Sequence, residues 1–165
     1  LIMANKDNKT DHLNVEDNKY PDLDLLFNTQ SSLQSFIADE RNMTDITDKN
    51  LSIGTRVEWL LKNKHAFDDE FSEMLDAMGG IDDGIGSSAW KWWKKDNHKV
   101  FSSYLSNLSN KDLHELKMEY VDMLHFFVNF GILLGMSGSE VMNMYLAKNR
   151  ENIDRQNREN DYCVD

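Results

Sequence analysis

Apolar residues recur along this chain at three- and four-residue steps, the period of one helix face. From about Asp22 to Arg41 the stripe runs Leu23, Leu26, Phe27, Leu33 and Ile37, with Gln30 set inside it. A polar connection, Asn42 to Ser52, leads to a longer run from Ile53 to Met78, striped by Val57, Leu60, Leu61, Phe67, Phe71, Met74, Leu75 and Met78. Glycines 79, 80, 84 and 86 end that run. They lack the spacing of a phosphate-cradling P-loop and read as a connector. A short aromatic and basic helix, Ser88 to Lys95, follows, then a weaker helical piece from His98 to Leu108. Ser109-x-x-Asp112 and Ser137-x-x-Glu140 have the form of capping boxes, opening helices to about Leu134 and about Asn157. No stretch alternates apolar and polar residues as a half-buried strand does. The pattern predicts an all-α fold: a single-domain bundle of five to six helices over residues 21–160, behind a flexible polar arm of residues 1–20.

Composition narrows the function. Lys and Arg number 18 against 29 Asp and Glu, a net charge of −11 on 165 residues, 40% of them hydrophobic. That supports one domain with a core. It is a poor match for gripping a nucleic-acid polymer, which needs a basic stripe. The lone cysteine, Cys163, excludes a disulfide scaffold and a cysteine-rich zinc site. The most apolar stretch, Met118 to Met136, holds Glu119, Asp122, His125 and Asn129, so it reads as a buried central helix and no membrane span is expected. The first twenty residues are polar, without an apolar leader, and the expected location is cytoplasmic, the host cytoplasm if a phage encodes the chain.

Two acid pairs stand out. Glu70 and Glu73 lie three apart on the second helix, on one strip with Asn63, Ala66 and Ala77. Glu119 and Asp122 repeat the spacing on a later helix, between Leu116, Met123, Phe126, Phe130 and Leu133, on a face that should be core. Buried carboxylates need a cationic partner. The first pair also reads as part of a solvated acidic face, and the second as members of buried salt bridges. Taken together, four hard oxygen donors from two helices suit Mg²⁺, with Mn²⁺ as a substitute, water and phosphate oxygens completing the octahedron. On the last helix Lys148, Asn152 and Arg155 fall at i, i+4 and i+7, a face that can hold phosphate oxygens or be ordinary surface charge. Trp90, Trp92 and Trp93 beside lysines suit packing at a site edge or dimer interface better than single-strand binding. His125 reads as a satisfied helix histidine and not a ligand.

These residues resemble the all-α nucleoside triphosphate pyrophosphatases, the superfamily of MazG and the dimeric dUTPases. Its E-x-x-E … E-x-x-D signature is matched by Glu70, Glu73, Glu119 and Asp122. Phe67–Leu75, Ala89–Lys94, Glu119–Phe126 and Lys148–Asn157 follow in the order used by dimeric dUTPases, and the likeness covers residues 22 to 157, closest to the short phage members of T-even type. The resemblance implies Mg²⁺-dependent hydrolysis of dCTP, and of dUTP, to the monophosphate and pyrophosphate by a homodimer. It implies metal binding by the four acids, with Glu70 or Glu73 orienting or deprotonating the attacking water. Lys148, Asn152 and Arg155 would hold phosphates, with Lys91 and Lys94 as further candidates. Phe126 would pack on the deoxyribose, and Gln30 and Gln34 would read the base. Longer dimeric dUTPases carry an Asn where this chain has Ala38, which tilts the expectation towards dCTP or mixed use, since an amide can flip to suit either pyrimidine edge. The competing readings are a MazG-type house-cleaning hydrolase of other specificity and an inactive helical binding module.

Overall fold

The computed structural model describes residues 15–78, 93 and 104–161. Four α-helices account for most of them: α1 Pro21–Arg41, α2 Ile53–Met78, α3 Asn110–Leu133 and α4 Gly138–Asp161. One 3₁₀ turn, Leu105–Asn107, precedes α3, and the described residues contain no strand. The expected all-α class holds. The described part of the piece expected from His98 to Leu108 is only that 3₁₀ turn. The helix expected over Ser88 to Lys95 lies outside the described residues except for Trp93, which is exposed.

Local chemistry explains the boundaries. Ser52 Oγ accepts from the Thr55 amide at 3.1 Å and starts α2, as Ser109 does from Asp112 at 3.1 Å for α3 and Ser137 from Glu140 at 3.1 Å for α4. Two helices stop where a residue adopts positive φ, Asn42 (50°) after α1 and Gly135 (76°) after α3. No single helix is long and apolar enough to cross a membrane.

The contacts divide the chain into two compact units, residues 1–29 with 136–165, and residues 30–135. In the first, the start of α1 packs on the start of α4. Asp24 accepts from the Ser139 amide at 2.7 Å and hydroxyl at 2.6 Å. A carboxylate at a helix N-terminus meets unpaired amides and the positive end of the dipole. These bonds from Ser139 hold the Asp24 carboxyl below the usual carboxylate range. The approach is so close that a Cβ on Gly138 would sit 2.3 Å from the Leu23 carbonyl. Of the expected arm, Asn18 and Tyr20 are tied to α4 through Asn143 and Ser139.

In the second unit α2 and α3 pack antiparallel. Arg56, early in α2, donates to the carbonyl of Leu133 at the end of α3 at 2.6 Å, while Glu70, late in α2, lies beside Glu119 and Asp122. Phe67 and Phe130 meet between these ends as a tilted pair with centroids 6.3 Å apart. Ala77, Leu116, Val128, Ile132 and Leu133 are the buried apolar residues of these two helices. Among the described residues, α3 is the main neighbour of α2. Val57, Leu61, Phe71 and Met78 of the expected stripe remain exposed, as does Leu33 of α1.

Candidate functional site

Antiparallel pairing brings the two acid-bearing helices face to face, and three-residue spacing aims both Glu119 and Asp122 at α2. Glu70, Glu119 and Asp122 each offer a carboxylate oxygen within 4.8 Å of the others, all half-buried. Glu73 is exposed and stands outside this trio, although its charge acts on it. Burial, a hydrogen bond to Glu119 and the charges of Glu73, Asp122 and Glu119 all push the Glu70 carboxyl up, to about 6. Glu119 is also raised, chiefly by burial, against the hydrogen bond from Glu70 and with the negative charges of Glu73, Asp122 and Glu115 adding to the rise. Crowded like charges that resist ionisation are what a bound cation relieves. Three hard oxygens in one small volume suit a hard divalent ion.

A buried chain of amides runs beside the acids. Asn63 donates to the Trp59 carbonyl at 2.8 Å, Asn129 to Asn63 Oδ1 at 2.8 Å, and Gln30 to Asn129 Oδ1 at 2.9 Å. His125 Nδ1 lies 2.7 Å from Gln30 Oε1. Gln30, Asn63 and Asn129 are each no more than 6% exposed, and no described buried side-chain nitrogen or oxygen lacks a partner. Gln30 therefore sits at the centre of a fixed network, while Gln34, one turn on, is half-buried. Phe126, on α3 one turn after Asp122, is half-buried as well. The expected satisfied role of His125 holds. Asn129 was not singled out from the sequence, although its i, i+4 spacing from His125 inside the apolar stretch was visible.

On α4 the expected basic face contains its own acid. Lys148 and Arg155 both pair with Glu151, at 2.6 Å and 3.1 Å, and the hydrogen bond from Lys148 leads the causes that hold Glu151 below its usual range. Lys148, Asn152 and Arg155 are exposed. Lys91 and Lys94 lie outside the described residues.

An all-helical scaffold whose acids converge from antiparallel helices defines a candidate acidic metal centre. The dUTPase family profile matches residues 22–138. The chain is 34% identical over 142 residues to a dCTP pyrophosphatase of Enterobacteria phage T4, covering 85% of this chain and 82% of that protein. It is 34% identical over 139 residues to the dCTP pyrophosphatase of Enterobacteria phage LZ5, covering 82% and 81%. A phage T4 "DNA replication protein" is 33% identical over 136 residues, 81% of this chain but 34% of that longer protein. No solved structure matches. The chain belongs to the dUTPase family. It is an enzyme of the nucleoside triphosphate pyrophosphatase class.

Proposed function

We propose that the enzyme hydrolyses dCTP and dUTP to the nucleoside monophosphate and pyrophosphate, with water attacking the α-phosphorus. The observation that carries this reading is the convergence of Glu70, Glu119 and Asp122 in a chain similar to dCTP pyrophosphatases. The donor set fits Mg²⁺, with Mn²⁺ as a substitute. Glu70, Glu119 and Asp122 would hold the ion, with Glu73 as a fourth acid beside them. When bound, it supplies charge that polarises phosphate oxygens and acidifies water. Glu70 or Glu73 orients the attacking water and accepts its proton. A carboxyl raised to about 6 is a better acceptor near neutral pH than an ordinary glutamate.

Substrate contacts follow the residue pattern. Lys148, Asn152 and Arg155 hold phosphate oxygens, joined by Lys91 and Lys94. Phe126 packs on the deoxyribose, and Gln30 and Gln34 face the base. Residues 21–160 form the catalytic domain, residues 1–20 an arm, and the protein works in the cytoplasm, where its substrates are. The working form is a homodimer. Ile53, Val57 and Leu61 make an exposed apolar row at four-residue steps on α2, and Phe127 and Leu134 are exposed on α3, surface that a second copy would cover.

Assay of pyrophosphate release from each of the eight common NTPs and dNTPs with Mg²⁺ tests the reading. Release confined to dCTP and dUTP is expected. Release from purine nucleotides would point to a house-cleaning hydrolase, and release from none, with Mg²⁺ or Mn²⁺, to an inactive module.

A further inference from the structure

Three charged side chains on α4 form one linked set. Glu151 stands three residues after Lys148 and four before Arg155, the two spacings that place helix side chains next to each other. Its carboxylate divides between them: Oε2 meets Lys148 Nζ at 2.6 Å and Oε1 meets Arg155 Nη2 at 3.1 Å. One anionic group thus bridges both cations through different oxygens, as a single phosphate group would. The Lys148 and Arg155 side chains are 49% and 44% exposed, that of Glu151 only 27%. The cations reach water while the acid between them is more covered. The hydrogen bond from Lys148 leads the causes that hold the Glu151 carboxyl below its usual range, so it stays ionised near neutral pH.

Such a carboxylate bears on any phosphate group that settles on this face. Ion pairs this exposed hold weakly, so a polyphosphate with several negative charges takes the two cations from Glu151. The displaced carboxylate remains tethered to the same turn of helix and repels whatever replaced it. Repulsion at close range shortens the stay of a bound anion. Inorganic pyrophosphate is the most exposed to this effect, since it has no base or sugar with which to hold on. We propose that Glu151 is a positioning residue for product release. It is an internal anion that competes with pyrophosphate for Lys148 and Arg155 and recaptures both cations as pyrophosphate departs. This inference rests on the phosphate-binding role proposed above for that face of α4.

The test is calorimetric titration of inorganic pyrophosphate, with Mg²⁺, into wild type, Glu151→Gln, Asp154→Asn and Lys148→Gln. Gln keeps the length of Glu151 and withdraws only its charge. Asp154 is an acid of the same helix, set about 100° round it from Arg155, and controls for charge in general. Glu151→Gln should tighten pyrophosphate binding about tenfold and lower KM for dCTP in parallel, the scale of one like charge removed at close range in screened surroundings. Asp154→Asn should change the affinity by less than about twofold. A merely structural Glu151, one that only braced the helix or aimed the two cations, would give the opposite sign, with weaker pyrophosphate binding and a higher KM. A gain below about threefold for Glu151→Gln, any loss, or a comparable gain for Asp154→Asn overturns the proposal. Lys148→Gln should weaken pyrophosphate binding. If it does not, the phosphate-binding reading of α4 fails and the proposal with it. If it does while Glu151→Gln brings no gain, the proposal alone fails.

Discussion

Glu70 on α2 and Glu119 on α3 share a hydrogen bond across the helix interface, which two carboxyl groups can do only while one of them keeps a proton. The pair therefore titrates as a unit, with loss of the shared proton displaced upward. Its proton is the natural competitor of a divalent cation.

The first prediction concerns that proton. Glu70 has a folded-state pKa near 6 against an ordinary 4.5. Its contribution to stability is thus fully present below pH 4.5 and is lost as pH rises through about 6. In metal-free protein the Tm of Glu70→Gln minus that of wild type should grow between pH 4.5 and 6.5 and then level off. Mg²⁺ should stabilise wild type most above pH 6, with protons released on binding. Thermal melts across pH, and calorimetry in two buffers of different ionisation enthalpy, check both. A difference that stays flat across this range contradicts the shared proton.

Removing one carboxylate should separate activity from folding. Glu119→Gln keeps the shape and the hydrogen-bonding capacity but withdraws a charge from a crowded trio. Turnover should fall on the order of 10²–10³-fold, the scale of losing one stabilising group at a reacting centre. Stability should change by no more than about 1 kcal/mol. Steady-state kinetics beside urea unfolding would show it, and near-normal turnover would take Glu119 out of the site.

A third prediction tests the junction of α1 and α4. Gly138→Ala places a methyl group 2.3 Å from the backbone of Leu23, and neither helix can yield without losing the Asp24–Ser139 bonds. The cost should be about 3 kcal/mol, the upper range for forced overpacking. It is read as a lower urea midpoint at unchanged slope.

Arg56 supplies a fourth. Its guanidinium donates to the carbonyls of Leu133 (2.6 Å), Lys49 (2.9 Å) and Leu51 (3.2 Å), tying the end of α3 to the loop before α2. Arg56→Ala should destabilise by about 2 kcal/mol, as expected for hydrogen bonds to a charged group. Arg56→Lys should recover little of it, because an ammonium cannot span the fork. Denaturant titration of both variants decides the point.

Much of the scaffold was readable from residues because its signals are local. The polar break after Arg41 puts α2 at Ile53–Met78 in sequence and structure alike, and the serines at 109 and 137 cap α3 and α4 as their spacing suggests. The acid spacing was equally plain, but spacing alone treats Glu70 and Glu73 as equivalents. Only the approach of α3 makes Glu70 half-buried and leaves Glu73 exposed. The amide chain was least legible. Its members come from α1, α2 and α3, so Gln30, Asn63 and Asn129 look in sequence like separate polar interruptions of apolar stripes. Likewise Glu151 falls between Lys148 and Arg155 on α4, and only side-chain geometry shows that it engages both.

The most direct measurement of the central claim is hydrolysis of dCTP by the purified enzyme in H₂¹⁸O with Mg²⁺, with products followed by ³¹P NMR and mass spectrometry. The account predicts dCMP and pyrophosphate with the label in dCMP, and loss of the reaction when a chelator is present or when Glu119 is replaced by Gln. Label in pyrophosphate, release of single phosphates, or turnover that survives both treatments would contradict it.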